Sequence, residues 1–493
     1  MNEEREQWGS RLGFILASLG MAVGTGNIWR FPRMAGLHDG GSFLIAYLVA
    51  NLMWALPLMM TEIAIGKRMR MGTVGSFRDF VGKKFAWFGA WAAFVCAAIT
   101  FYYAVVFSWA LKYFFMAVIG TFKPGLDSQA LWDSTINNPV QGILWDFIAV
   151  VIAGIIIYKG VQGGLEKTNK IMIPTLFISL IITGIWALSK PGAVLGLKYL
   201  FVPKWASLAT PALWLNAFAQ ASWSTGAGWG EMLTYAVYTK ENEDVAANSH
   251  MVIFGDMLGA MTGALAVLPL VFAFSPSEAA AVETLKSGNY GLTFIYLTKF
   301  FSNTTGGALI ASFFFLALSF AALSSLLPQT EVIVRNYIDA GYDRKKATII
   351  VSIAVFIFGV PSAVSIKFLN NQDWVWGVAL LVSGVMFAFA VYKFGVDRVR
   401  TELINPDSDI VVGKSYNIRI MLFPVLFAVL FGWWIWQSIT WHPSDWWNPF
   451  LEDSVGTIVI QFAIAGLVFY LMNDKLAKWI KLKSAHGETR DRR

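Results

Sequence analysis

Two glycine clusters in otherwise apolar stretches are where this chain could do chemistry. "LASLGMAVGTGNIWRFP" (16–32) carries Gly20, Gly24 and Gly26, followed by Asn27 and Arg30, and "QASWSTGAGWGEMLTY" (220–235) carries Gly226, Gly228 and Gly230. Glycine removes the side-chain barrier to non-helical dihedrals, so each cluster predicts a helix that unwinds partway along. Such a turn frees carbonyl oxygens and N–H groups that hydrocarbon cannot satisfy. Half-helix N-termini then favour a carboxylate, and half-helix C-termini a cation. Two further features fit a cation. Ser324 and Ser325 form a hydroxyl pair in an apolar helix, and neutral oxygens suit a hard ion. Asp256 is a carboxylate in mid-span, where insertion costs about 2.5–3.5 kcal/mol unless a charge offsets it. The competing readings are close helix packing for the glycines and back-bonding to the preceding turn for the serines. Two clusters five spans apart, each beside polar residues, weigh against the first.

The elements that must position these residues are membrane helices. The 493-residue chain is 56% apolar and only 14% charged, with a mean hydropathy of +0.57. A span needs roughly 20 apolar residues, and such runs recur near 11–34, 41–66, 86–119, 142–159, 170–189, 210–238, 246–273, 306–339, 346–366, 372–394, 417–439 and 454–473. Hydrocarbon leaves only helices or a closed barrel, and runs without two-residue alternation exclude the barrel. The fold class is therefore an all-α polytopic membrane protein with 12 transmembrane helices.

The net charge of +7 does not imply nucleic acid. Basic residues gather in alternate loops: Lys67, Arg68, Arg70, Arg78, Lys83 and Lys84; Lys159, Lys167 and Lys170; Arg344, Lys345 and Lys346; Lys393, Arg398 and Arg400; and the tail with Lys475, Lys478, Lys481 and Lys483. The positive-inside rule then predicts both termini in the cytoplasm. Cys96 is the only cysteine, so no intrachain disulfide can form, and His38, His250, His442 and His486 are dispersed without metal-ligand spacing. Nothing supports an enzyme. Interruptions in the first and sixth spans, at corresponding places in two halves, point to an inverted-repeat transporter that binds its cargo at the bilayer midplane.

At these residues the chain resembles the neurotransmitter:sodium symporter family, in particular its bacterial sodium-dependent amino-acid transporter branch. The matching stretches are "GMAVGTGNIWRFP" (20–32), "PLMMTEIAIGK" (57–67), "FYY" (101–103), "WSTGAGWGEMLTYAVY" (223–238), "AALSSL" (321–326) and "NNQDW" (370–374). The resemblance implies a five-plus-five inverted repeat with unwound first and sixth helices. It divides a single transporter domain, 1–493, into repeat one (11–189), inverted repeat two (210–394) and two peripheral helices (417–482). It also implies two sodium ions and alternating access.

The resemblance further implies the site. The first sodium would meet the carbonyl of Ala22, the side chain of Asn27, Ser224 and Asp256. The second would meet the carbonyls of Gly20, Val23 and Ala321 and the hydroxyls of Ser324 and Ser325. The substrate would touch Ala22, Thr25, Gly26, Tyr103 and Ser224 at its polar end, and Ile99, Trp223, Gly226, Trp229, Ser325 and Gln329 along its side chain. Trp223 and Trp229 stand where phenylalanines are frequent in the family, which leaves pocket size open. Gly24 stands where the monoamine branch has an aspartate, so the substrate is expected to bring its own carboxylate. Chloride-dependent members have serine where this chain has Ala260, one turn from Asp256, so Asp256 is expected to replace chloride. Arg30 with Asp373 matches an outer gate, and Arg5 with Asp339, covered by Trp8 and near Tyr238, an inner one. Glu62, alone within the second span, is expected to bond amides freed by the sixth-span break.

The expected function is sodium-coupled symport of a neutral amino acid across a prokaryotic inner membrane by a monomer or dimer, with no nucleic-acid partner. The alternative is a membrane receptor or chaperone-like protein that keeps the transporter fold without transporting.

Overall fold

The computed structural model describes residues 6–482. Arg5 of the expected inner gate and Lys483 of the basic tail lie outside these described residues. The principal helices are α1 (Arg11–Ala22), α2 (Gly26–Leu37), α3 (Gly41–Met69), α4 (Lys83–Val118), α5 (Pro139–Tyr158), α6 (Val161–Leu188), α7 (Pro211–Ser224), α8 (Glu231–Ala236), α9 (Val245–Ala273), α10 (Gly307–Asp339), α11 (Arg344–Val364), α12 (Ile366–Phe394), α13 (Ser415–Trp441) and α14 (Val455–Leu471).

Among the described residues, nine helices are long and apolar enough to cross a bilayer, and counting each of two bent pairs as one span brings the number to eleven. The remaining expected span, 210–238, is divided between α7 and α8, which have 14 and 6 residues. Both breaks fall where glycine clusters. The first bends α1 against α2 by 52°. In the second, Gly226, Gly228 and Gly230 have φ of +68°, +92° and +82°, a left-handed region that side chains disfavour. Gly228 also approaches α12 closely, since a Cβ there would lie 3.1 Å from Gly384 Cα.

Two boundaries differ from the hydropathy reading. The fifth span starts at Val161, not 170, because Glu166 is buried and accepts from Gly9 N at 2.6 Å, Ser10 Oγ at 2.7 Å and Lys170 Nζ at 2.6 Å. These partners satisfy a carboxylate that reads from sequence as loop. The tenth starts at Ile366, not 372, behind Ser365, whose side chain caps it by accepting from Phe368 N. Some of the cations read as loop charge are structural. Arg70 donates to the carbonyls of Val237 and Thr239, and Arg78 to those of Ile480 and Leu482, each at 2.7 Å.

The core surrounds the breaks. α10 packs most extensively against α4 and then α6, α11 against α5, and α9 against α6. Burial separates scaffold from rim. The most apolar windows of α4 and α12 are each 78% buried, whereas that of α13 is 22% buried. α13 leans on α12, and α14 on α4 and α12.

Candidate functional site

The two breaks face one another across a cavity of about 190 Å³. On one side of it Asn27, the second residue of α2, uses both ends of its amide. Its Oδ1 accepts from Gly24 N at 2.9 Å, which closes the unwound turn, and its Nδ2 donates to Asp256 Oδ1 at 2.8 Å and to Asp256 O at 3.0 Å. Ser224, the last residue of α7, donates to Asp256 Oδ1 at 2.6 Å. Three residues expected together from sequence are therefore together, contributed by three helices. Sequence reading missed a fourth, Tyr47 of α3, whose hydroxyl donates to Asp256 Oδ2 at 2.5 Å. A lone tyrosine in an apolar span carries no signal that it ends on a carboxylate.

The second expected ion site lies where α10 crosses the end of α1. Ser324 Oγ is 3.0 Å from Ala321 O and 3.4 Å from Val23 O, and Ser325 Oγ is 3.4 Å from Met21 O. Both hydroxyls reach the end of α1, and only that of Ser324 also bonds within its own turn, so helix back-bonding does not account for both. A Cβ on Gly20 would lie 3.1 Å from Ser324 Cβ and 2.5 Å from Asn169 Oδ1. That oxygen is buried and has no hydrogen-bond partner, and Asn169 was not anticipated from sequence.

Thr25, Gly26, Tyr103, Trp223, Ser224, Gly226, Trp229, Ser325 and Gln329 line the cavity. Tyr103 OH lies 2.9 Å from Thr25 Oγ1 and accepts from Thr25 N at 3.4 Å. Ala22 and Ile99 are not among the lining residues. Both are fully buried in the core, and Ala22 O accepts from Gly24 N at 3.1 Å. Trp223 and Trp229 meet edge to face with centroids 5.9 Å apart. Trp223 rests on α12 where Gly377 leaves room, since a Cβ at Gly377 would lie 2.0 Å from the indole. Lining residues that sequence did not suggest include Met21, Tyr102, Gln220 and Glu231.

Glu62 lies at the second break. Its two carboxylate oxygens accept from Gly228 N at 2.5 Å and Leu233 N at 3.0 Å, bridging the break between α7 and α8.

The two expected gates stand differently. Arg30 and Asp373 line the same cavity, yet Arg30 donates to Gln220 Oε1 at 2.7 Å in place of a direct ion pair with Asp373. At the opposite face Trp8 closes the bundle. Its backbone N donates to Tyr238 O and its Nε1 to Tyr235 O, each at 3.0 Å. Asp339 pairs with Arg335 at 2.7 Å and accepts from Gly72 N at 2.6 Å. Tyr238, near this pair under the Arg335 guanidinium, donates to Glu331 Oε1 at 2.5 Å, and Arg344 grips both oxygens of Glu331 at 2.8 Å and also pairs with Glu6. This second buried network, which ties the end of α10 to the start of α11, was not read from sequence.

Arg344→Ala strands the fully buried Glu331. Removing one partner of a buried pair costs about 3–5 kcal/mol, so the variant is expected to melt well below wild type in detergent, and Arg344→Lys to fall between. An unchanged melting temperature would show that the pair contributes no net stability.

A model of the sodium:neurotransmitter symporter family matches residues 5–123 and 131–472. An uncharacterised sodium-dependent transporter of Methanocaldococcus jannaschii is 33% identical over 446 residues, covering 87% of this chain and 90% of the relative. A sodium-dependent transporter of Bacillus subtilis is 29% identical over 380 residues, 75% of this chain and 81% of its own. The crystal structure of MhsT in complex with L-phenylalanine matches with a TM-score of 0.74 at 28% identity, over 87% of this chain and 98% of that one. The likeness to MhsT and the all-helical architecture establish the twelve-helix transporter fold. The chain belongs to the sodium:neurotransmitter symporter family and is a sodium-dependent multi-pass membrane transporter, not an enzyme.

Proposed function

We propose that this protein is a symporter that moves a neutral amino acid with two sodium ions by alternating access. The observation that carries this reading is the meeting of both helix breaks on one cavity, with Asn27 and Ser224 at its wall and the fully buried Asp256 bonded behind them. In this reading the substrate carboxylate meets the amides after Gly24, the Tyr103 hydroxyl and the first sodium. Gly24 brings no charge of its own, and a Cβ there would lie 2.6 Å from Ser325 Oγ, so the corner leaves no room for an acidic side chain of the protein and leaves the carboxylate to the substrate. A cation held beside that carboxylate couples the two binding free energies, and the coupling is reciprocal.

The second sodium is assigned to the carbonyls of Gly20, Val23 and Ala321 with Ser324 and Ser325. The two faces support alternating access. The cavity reaches toward Arg30 and Asp373, while Trp8 and the Glu331–Arg344 network seal the other side. Contacts that exist in one state and break in the other bias a two-state equilibrium. We place both termini in the cytoplasm, on the side of the basic loops, and read residues 11–189 and 210–394 as the inverted repeats of one domain.

A thermal-shift panel of amino acids, with and without sodium, tests this reading on the purified protein. A neutral amino acid is expected to raise the melting temperature only with sodium present. No response to sodium would favour a receptor or chaperone-like role on the same fold. Chloride is a separate prediction. Asp256 supplies the negative charge and Ala260 no hydroxyl, so replacing external chloride with gluconate is expected to leave uptake unchanged. Collapse of uptake in gluconate would overturn that assignment.

A further inference from the structure

One carboxylate on the cavity wall is not used by either proposed ion site, by the gates or by the helix breaks. Glu231 is the first residue of α8 after the second break, is 2% exposed and lines the cavity. Its Oε2 lies 3.4 Å from where a Cβ on Gly226 would stand, so the absence of a side chain at Gly226 opens the way to it. Among the described residues, the protein offers it a single hydrogen bond, the Cys96 thiol 3.9 Å from Oε1, and a thiol is a weak donor. The same sulfur lies 3.7 Å from Gln329 O, which brings Glu231 and Gln329 together around Cys96.

Gln329 also lines the cavity, four residues after Ser325 and so on the same face of α10. Its Oε1 is buried with no hydrogen-bond partner. Buried polar atoms are nearly always bonded, and an exception calls for a ligand or a water. The region beyond Ser325 thus holds two polar side chains from two helices, the Glu231 carboxylate and the Gln329 amide, with few partners inside the protein. An aliphatic or phenyl side chain placed there would leave both unsatisfied. A side chain with an N–H or O–H would satisfy them.

We propose that Glu231 and Gln329 select a neutral amino acid whose side chain carries an amide or hydroxyl donor, over an apolar side chain of the same shape. This rests on the amino-acid transport reading above and narrows its substrate class. Sites that bond a substrate N–H or O–H discriminate strongly against analogues lacking it, because the site's own groups are left unpaired.

The test uses purified full-length protein in sodium and compares near-isosteric pairs by thermal shift: L-glutamine with L-methionine, L-asparagine with L-leucine and L-threonine with L-valine, with L-lysine as the cationic arm. At least one polar member is expected to reach half-maximal stabilisation at a concentration about tenfold or more below its apolar partner. Glu231→Met is expected to shrink that ratio below about threefold, with the melting response to sodium alone retained. Gln329→Leu, which removes the amide and keeps the Glu231 carboxylate, is expected to lower the ratio as well and covers the case in which the methionine variant fails to fold. Apolar members equal to or stronger than their polar partners, an undiminished preference in both variants, or L-lysine as the strongest ligand would each overturn the proposal while leaving sodium-coupled amino-acid transport in place. Silence from every amino acid tried in sodium would instead overturn the transport reading on which it rests.

Discussion

Asp256→Ala is expected to abolish sodium-driven uptake and to raise the sodium concentration needed for half-maximal thermal stabilisation by a hundredfold or more. The carboxylate is fully buried, with Asn27, Ser224 and Tyr47 all bonded to it. Truncating one member of a buried charge pair costs about 3–5 kcal/mol, and each 1.4 kcal/mol is a factor of about ten in affinity. The loss therefore spans roughly two to three and a half powers of ten. Part of it is reorganisation, because the Tyr47 and Ser224 hydroxyls and one Asn27 N–H lose their acceptor. Asp256→Asn separates the two contributions, since it keeps the shape and an oxygen but not the charge. If the charge is what holds the ion, the amide variant should remain folded, with a melting temperature close to wild type, and still bind sodium far more weakly. Titration of the melting temperature with sodium, at constant ionic strength from choline, reads this directly. A sodium affinity for Asp256→Ala within threefold of wild type would remove Asp256 from the ion site.

Glu62→Ala is the second large effect, and it should appear as loss of folded protein and not of affinity. Glu62 accepts from Gly228 N and Leu233 N, two donors freed because three glycines turn the chain out of helix. No water reaches that depth to replace them. Leaving a buried donor unsatisfied costs about 1–3 kcal/mol, so two amount to about 2–6 kcal/mol, comparable to the whole stability of many domains. Glu62→Ala is expected to yield little monodisperse protein after detergent extraction. Glu62→Gln, which keeps one acceptor oxygen, should retain more of it and melt below wild type. Size-exclusion profiles with a heating step distinguish the three. If Glu62→Ala eluted and melted as wild type does, the bridging role would be wrong.

How much of this was legible in the sequence depended on whether a property is local. Spans are local. A run of apolar residues long enough to cross a bilayer must be helical wherever it packs. Both interruptions were legible for a similar reason, since glycine clusters in hydrocarbon are expensive unless something uses the freed backbone. The ends of spans were less so. Val161–Glu166 reads as polar loop, and only Gly9, Ser10 and Lys170 meeting Glu166 make it part of α6. Polar side chains in apolar helices were flagged by their rarity, which singled out Glu62, Asp256 and the serine pair. Tyr47 and Asn169 escaped because one polar atom on a helix says nothing of what lies opposite it.

Composition and spacing by themselves determined that this is a helical membrane protein broken at two matching places, with polar groups next to each break. Those features follow from solvation and backbone dihedrals, which act residue by residue. Only the tertiary structure decided which groups face one another: that Tyr47 bonds Asp256, that Arg30 rests on Gln220, that Tyr238 holds Glu331, and that Glu231 and Gln329 share one end of the cavity. Those are distances between helices far apart in the chain, set by how side chains of unlike size interdigitate, and no local pattern encodes them.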